Sequence, residues 1–158
     1  MAIEILETHV AHDVRHDLES FFWLLLWVVL RYTITTCHPP YEIYVTIFGA
    51  QTDSISAAIK TNFLLKDMEW EVKDNKPLTT LIRKYKQLCF MSTKRPSEPE
   101  GRVVPLTYEA VLELFDEALA DPDWPQDDHA LPFKMPTATV TSATQGGSQA
   151  GNSRGGEK

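Results

Sequence analysis

An uninterrupted run of ten apolar residues, 21–30, constrains this chain more than any other feature. Asp17 and Glu19 precede the run and Arg31 ends it. A helix that crosses a bilayer needs roughly 20 mostly apolar residues, whereas runs of about 10–14 are typical of buried core helices. Because the run is apolar on every side, it predicts one buried central helix and no membrane span. This helix is expected to have Asp17 and Glu19 in its first turn and to reach about Thr33.

The composition limits the classes of protein to which the chain can belong. Its 158 residues and 43% hydrophobic content suffice for one domain with a core. The formal net charge of −7 argues against binding to nucleic acid, because phosphate backbones are bound by clustered Lys and Arg. Cys37 and Cys89 indicate two reduced thiols in an intracellular protein, cytoplasmic or nuclear, with a single bridge as the open alternative. Residues 1–16 lack the apolar core of a secretory signal.

Three further segments have apolar residues at helical spacing, which makes the predicted fold all-α. One begins at a cap on Asp53 or Ser54, one has Pro77 as its first residue, and one is capped by Thr107. The residues predicted to face inward are Ile55, Ala58, Ile59 and Phe63; Leu78, Leu81, Ile82, Tyr85, Leu88 and Cys89; and Tyr108, Val111, Leu112, Phe115 and Leu119. Arg83, Lys84 and Lys86 are predicted to face outward.

The remaining stretches predict no helix. Residues 41–49 are β-branched and aromatic, and predict either a short strand or a packed loop. Residues 92–105 have the composition of a loop. Residues 121–158 predict a disordered tail, because a segment rich in Thr, Ser, Gly and Gln buries too little apolar surface to offset its ordering entropy. The folded domain is therefore predicted to span residues 1–120.

Motifs that carry chemistry are sparse. His9, His12, Asp13 and His16 have spacings that suit metal ligands, but a solvated polar approach to the central helix is the preferred interpretation. No serine or cysteine of the predicted domain lies in a Gly-rich elbow. We therefore predict no catalytic, cofactor-binding or metal-ligating residue.

The segment "HDLESFFWLLLWVVLRY", residues 16–32, closely resembles the fungal-type protein kinase family, whose members typically carry a "DDLESFFWVLLW"-like sequence. The opening "MAIEIL" resembles the end of that family's activation segment. The resemblance covers roughly residues 1–120. It implies the C-terminal lobe of a kinase domain, built around residues 16–32 as its long central helix.

The resemblance also implies structural roles for four residues. In the family, the acid that leads the central helix hydrogen-bonds backbone amides of the catalytic loop, and this role falls to Asp17. Glu4 matches a glutamate that pairs with an arginine late in the lobe, and Arg95 or Arg102 would be the partner. The alternative is that Glu4 lies at a frayed terminus and pairs with nothing.

The parts of a kinase that perform catalysis have no counterpart in this sequence. "RHDL" (15–18), "IFG" (47–49) and "AAIK" (57–60) imitate the catalytic loop, the metal triplet and the lysine motif. However, Phe22 stands where the loop needs Asn, and Ile47 stands where the triplet needs a carboxylate. Phosphoryl transfer depends on these parts, so the resemblance implies a partial kinase domain that binds no cofactor and is inactive alone.

The alternative function is a stand-alone helical module that binds other proteins and has no catalytic role. In that case, the face left by the missing N-lobe would be an apolar docking surface for a protein partner.

Overall fold

The computed structural model describes residues 1–7, 11–37, 42–93, 103–127 and 129–132. Over these ranges it contains six helices: α1 Ile3–Glu7, α2 Val14–Tyr32, α3 Glu42–Phe48, α4 Asp53–Leu65, α5 Lys76–Ser92 and α6 Tyr108–Leu119. The described ranges contain no strand, and their one strand-like pairing is an antiparallel bridge between Thr35 and Val72. The prediction of an all-α fold is confirmed.

α2 is the central helix that the apolar run predicts, and it begins earlier than expected. The Asp13 side chain accepts a hydrogen bond from the Arg15 N–H, and the Asp13 N–H donates in return to Nδ1 of His16. This reciprocal pair is a capping box in which histidine replaces the usual Glu or Gln, so the sequence gives only a weak start signal. The helix ends at Tyr32, one residue before the predicted end. Among the described residues, no helix combines the length and apolarity that a bilayer span requires.

The core lies between α2 and α5. α2 packs against α1, α3, α5 and α6, so four of the five other described helices contact it. The ring of Phe22 meets the ring of Tyr85 edge to face, with 5.3 Å between ring centroids. Both side chains are fully buried, as is Leu26 one turn further along α2. Burial of each such side chain stabilises the fold by roughly 1.5–3 kcal/mol, so this contact is a main source of stability.

The prediction of a strand or a loop for residues 41–49 is wrong, because residues 42–48 form α3. α3 packs against α2 and α4, and Ile47 is buried between them. This tertiary packing overrides the weak strand preference of β-branched and aromatic residues. Gly49 ends the helix by donating its N–H to the Val45 carbonyl, and a Cβ at Gly49 would lie only 2.4 Å from that oxygen.

Side-chain caps start the last three helices. Each cap accepts a backbone N–H: Thr52 for α4, Asn75 for α5 and Thr107 for α6. The prediction for Thr107 is confirmed, whereas the predicted cap of α4 at Asp53 or Ser54 lies one or two residues too late. Pro77 is the second residue of α5 instead of the first. Thr is a somewhat weaker N-cap than Asp or Ser, so local preference among these three adjacent residues favours the wrong cap for α4.

The prediction that Lys86 faces outward is wrong. Lys86 is only 8% exposed, and its Nζ donates a 2.9 Å hydrogen bond to the Leu64 carbonyl near the end of α4. A lysine that satisfies a terminal carbonyl of a neighbouring helix stabilises that helix end. The pKa of Lys86 is lowered because burial removes its ammonium from water.

The inward faces of α4 and α6 also differ from the prediction. On α4 the buried side chains are Ala57, Lys60 and Leu64, while Ile55 and Ala58 are exposed. On α6 Val111 and Ala118 are buried, while the predicted core residues Tyr108, Leu112 and Leu119 are all more than half exposed.

Residues that follow α6 contact the helical domain again. Trp124 is partly buried against the core, and the Leu131 N–H donates a 2.8 Å hydrogen bond to the Tyr32 carbonyl at the end of α2. Most of the predicted loop over 92–105, and the predicted tail beyond residue 132, lie outside the described residues.

Candidate functional site

The head of α2 is joined to α1 by a cluster of charged side chains. Oε2 of Glu4 lies 2.8 Å from Nη2 of Arg15 and 3.2 Å from Nε2 of His16. Glu4 is therefore paired with α2 and is not an unpartnered residue at a frayed end. The partners that the resemblance implies, Arg95 and Arg102, lie outside the described residues, so their pairing with Glu4 stays a prediction.

His16 connects the N-cap of α2, Asp13, to Glu4 on α1. Its side chain is almost completely buried, and its Nδ1 accepts the Asp13 N–H at 3.1 Å. Because Nδ1 is an acceptor, the ring hydrogen lies on Nε2, which then donates to Glu4. Desolvation is the largest single influence on the Asp13 carboxyl and raises its pKa, but the hydrogen bond and charge of Arg15, with the contributions of His16, together outweigh it and lower the pKa. Both ring nitrogens of His16 are thus engaged: Nδ1 helps to cap α2, and Nε2 holds α1 against α2.

The metal-ligand spacing in this region has a structural explanation. Asp13 caps α2, and His16 binds Glu4 and the Asp13 main chain. The described residues contain no group of three or more His, Cys, Asp and Glu side chains arranged to hold a metal ion. Of the other two members of the predicted set, His12 lies beside Asp17 and His9 lies outside the described residues.

A second cluster attaches the N-terminal segment to α2 and α4. Oε1 of Glu19 accepts hydrogen bonds from the Ile3 N–H and from the indole N–H of Trp23, both at 2.9 Å. Nζ of Lys60 donates to the Met1 carbonyl at 2.8 Å and lies 5.1 Å from the Trp23 ring centroid. Burial lowers the pKa of Lys60, and the negative charge of Glu19 partly opposes this shift.

Sequence reasoning missed this second cluster. Glu19 looks like an ordinary first-turn acid, and Lys60 looks like a surface lysine of an amphipathic helix. The available signal is the spacing of Ala57, Lys60 and Leu64, which places the lysine on the buried face of α4.

Asp17 lies on the exposed side of α2, away from the cluster that holds Glu4. Its side chain is 68% exposed, and its Oδ1 lies 3.9 Å from Nδ1 of His12, which is 66% exposed. The structure therefore does not place Asp17 and Glu4 in one site. It leaves the Asp17 carboxylate accessible to a group outside the described residues.

Asp17 is one member of an exposed row along α2, which we call the α2 stripe. The apolar members of the α2 stripe are exposed by 40–54% and comprise Val14, Phe21, Leu24 and Val28. Together with Asp17 they recur at alternating intervals of three and four residues, which is the spacing of a helix surface that packs against another helix. The ring of Phe21 also lies 6.0 Å from that of Phe115 on α6. Exposed apolar surface that is this concentrated is typical of an interaction site.

Comparison with known proteins finds a similarity over the N-terminal part of the chain. The model of the fungal protein kinase family matches residues 1–29, which include α1 and most of α2. No curated protein and no solved structure matches the chain. The matched segment contains the Glu4 cluster and the whole α2 stripe, so the similarity to fungal protein kinases falls on the candidate site.

Proposed function

We propose that this domain is the C-terminal part of a fungal-type protein kinase domain, in which α2 supports a catalytic loop that the chain itself lacks. The match of residues 1–29 to the fungal protein kinase family supports the assignment. The observation that carries it is the exposed Asp17 carboxylate in the α2 stripe. The sequence resemblance gives the acid at this position the role of binding backbone amides of the catalytic loop.

The apolar members of the α2 stripe support the same assignment. Phe21, Leu24 and Val28 lie on the same side of α2 as Asp17, and each is at least 40% exposed. Covering apolar surface is favourable by about 25 cal/mol per Å², so a packed segment on this face would be stabilising. The carboxylate would then fix its orientation through charge-assisted hydrogen bonds, which are stronger than neutral ones.

The three fragments that imitate kinase motifs have structural roles, which supports the proposal that the domain does not transfer phosphate by itself. "RHDL" forms the first turn of α2, in which His16 is buried against Glu4. Ile47 of "IFG" is buried in the core. Lys60 of "AAIK" holds the Met1 carbonyl and is not directed at solvent. Positioning of ATP and Mg²⁺, on which phosphoryl transfer depends, must come from other parts.

Reconstitution tests this proposal. The chain is mixed with a recombinant fragment of an intact fungal-type kinase that carries the nucleotide lobe, the catalytic loop and the metal triplet. We expect a one-to-one complex by size-exclusion chromatography with light scattering, and phosphate transfer only from the mixture. Leu24→Asp should abolish the complex, because it places a carboxylate in the middle of the α2 stripe.

Leu65→Asp is the matched control, since Leu65 lies at the end of α4 and is 56% exposed, close to the 54% of Leu24. It should leave the complex intact. Asp17→Asn should reduce phosphate transfer more than it reduces binding. Equal behaviour of the Leu24 and Leu65 variants, or activity of the chain alone, would contradict the proposal. Sequencing the transcript upstream of the Met1 codon gives an independent test, since an in-frame catalytic loop and nucleotide lobe there would show that the domain is part of an intact kinase.

A stand-alone helical interaction module is the second candidate, and the compact packing of α1–α6 favours it. A monodisperse chain that unfolds in one cooperative transition, and that gains no stability from the kinase fragment, would support this candidate over the first.

A further inference from the structure

A groove between α3, α4 and residues 66–70 shares no residue with the α2 stripe and has no part in the proposed function. Its volume is about 760 Å³, within the range of roughly 300–1,000 Å³ that is typical of binding sites for small ligands. Ile47 and Trp70 are its most deeply buried lining residues. Ile43, Ile59, Phe63 and Met68 also line the groove and are partly buried against the core. The groove is therefore apolar at its base.

The wall formed by residues 66–70 is fixed at its far end. The Thr36 N–H donates to the Glu71 carbonyl at 2.9 Å, and the Glu71 N–H donates to the Thr36 hydroxyl at 2.9 Å. The Lys73 N–H donates to the Ile34 carbonyl at 2.8 Å in the same antiparallel pairing. A wall that is held in this way needs little ordering when a ligand binds, which favours affinity.

The rim of the groove is acidic. Three exposed carboxylates, those of Glu42, Asp67 and Glu69, stand on the rim with one exposed ammonium, that of Lys66. The buried ammonium of Lys86 also acts on Asp67. With both ammonium groups counted, the carboxylates remain in excess, so the rim attracts cations.

We propose that this groove binds a segment of a partner protein in which large apolar side chains alternate with Lys or Arg. The apolar base would receive the apolar side chains, and the carboxylates of the rim would pair with the cations beside them. A second copy of this chain is a poorer occupant, because its net charge of −7 would oppose approach to an acidic rim.

The probe is a short blocked peptide, labelled with fluorescein, in which leucine and phenylalanine alternate with arginine and lysine. Binding to the full chain is followed by fluorescence anisotropy. We expect saturable binding that weakens as salt rises, because exposed ion pairs are screened. A sibling peptide with glutamate in place of the basic residues, and one with glycine in place of the apolar residues, should both fail to bind.

The double variant Asp67→Lys with Glu69→Lys should bind the peptide about tenfold more weakly, which corresponds to about 1.4 kcal/mol. Its matched control is Glu113→Lys with Asp116→Lys, two exposed reversals on α6 outside the groove, which should change affinity less than twofold. Circular dichroism would show that both variants remain folded. Equal affinity of the two variants, or equal binding of the acidic peptide, would overturn the proposal.

The chain's own sequence at Phe133, Lys134 and Met135 has the same alternation of apolar and basic residues. The titration is therefore repeated on the chain that ends at residue 132. Unchanged affinity supports an external partner. Binding that appears only after this truncation would assign the groove to the chain's own segment and overturn the proposal.

Discussion

The hydroxyl of Tyr85 donates a 2.7 Å hydrogen bond to the main-chain carbonyl of Leu18, in a part of the core where the tyrosine has no exposed surface. Leu18 lies near the start of α2 and Tyr85 lies in the middle of α5. The bond therefore fixes how the two longest helices are positioned along one another, while the ring of Tyr85 packs between Phe22 and Phe115. Apolar packing alone would leave this position less defined.

Tyr85→Phe should lower the free energy of unfolding by about 1–2 kcal/mol, because it removes a buried hydrogen bond and keeps the ring. Urea denaturation followed by circular dichroism measures the change. Tyr108→Phe is the matched control, since Tyr108 is 52% exposed, and it should stay within about 0.5 kcal/mol of the wild type. If Tyr85→Phe leaves the free energy of unfolding unchanged, packing alone positions α5.

Stability should fall in alkaline solution. Burial raises the pKa of the Cys89 thiol well above 9.0 and that of the Tyr85 phenol above 10.0. Both groups therefore ionise more readily in the unfolded chain than in the folded one. Their contribution to the free energy of unfolding is intact below pH 9 and is lost as pH rises above it. Burial lowers the pKa values of Lys60 and Lys86, so these two groups lose their protons more readily in the folded chain. Their contribution to the free energy of unfolding therefore rises with pH over the same range.

Because of this opposition, the test compares variants. Thermal melts between pH 7 and about 11 should show a smaller alkaline loss of stability in Cys89→Ala and in Tyr85→Phe than in the wild type. An identical pH profile for all three proteins would contradict the assigned cause.

Glu19→Ala should lower the free energy of unfolding by about 3 kcal/mol, since it leaves the Ile3 N–H and the Trp23 indole N–H without their acceptor and Lys60 without a nearby negative charge. Glu19→Gln should cost only about 1 kcal/mol, because the amide oxygen still accepts hydrogen bonds. Chemical denaturation measures both. In a Lys60→Met background the cost of Glu19→Gln should shrink, and an unchanged cost would exclude coupling between the two charges.

Two leucines on opposite sides of α2 should respond very differently to truncation. Leu26→Ala should lower the free energy of unfolding by about 2–5 kcal/mol because it creates a cavity at a fully buried position. Leu24→Ala should change it by no more than about 0.5 kcal/mol, since Leu24 is 54% exposed. If both variants lose the same stability, the α2 stripe is already covered in the isolated chain, and docking on it would be excluded.

The apolar run predicts α2 because a short helix that is apolar on all sides has few alternatives to a core position. The sequence predictions that the structure overturns have a common cause, which is that tertiary contacts override the local pattern. Residues 42–48 become α3 through packing on α2 and α4, and Lys86 is buried because its ammonium reaches the end of α4. The apolar face of α6 is real, but periodicity shows only that Leu112 and Leu119 suit an interface, not that a partner is present.

Like the fold, the candidate site could be predicted from the sequence only in part. Asp17 follows from the family resemblance, and the structure shows that its carboxylate is exposed. The pairing of Glu4 with Arg15 and His16 joins two helices, so no local pattern in the sequence announces it.

The bridge between Thr35 and Val72 is a closure point for the whole segment that contains α3 and α4. Joining the ends of a loop of this size costs roughly 3 kcal/mol of chain entropy, which a few backbone hydrogen bonds barely offset. The segment should therefore stay closed chiefly through the packing of α4 on α1 and α5. If residues 1–7 detach from α4, the segment that contains α3 and α4 should therefore open as well. Slow amide hydrogen exchange in α3 would then show that residues 1–7 are docked.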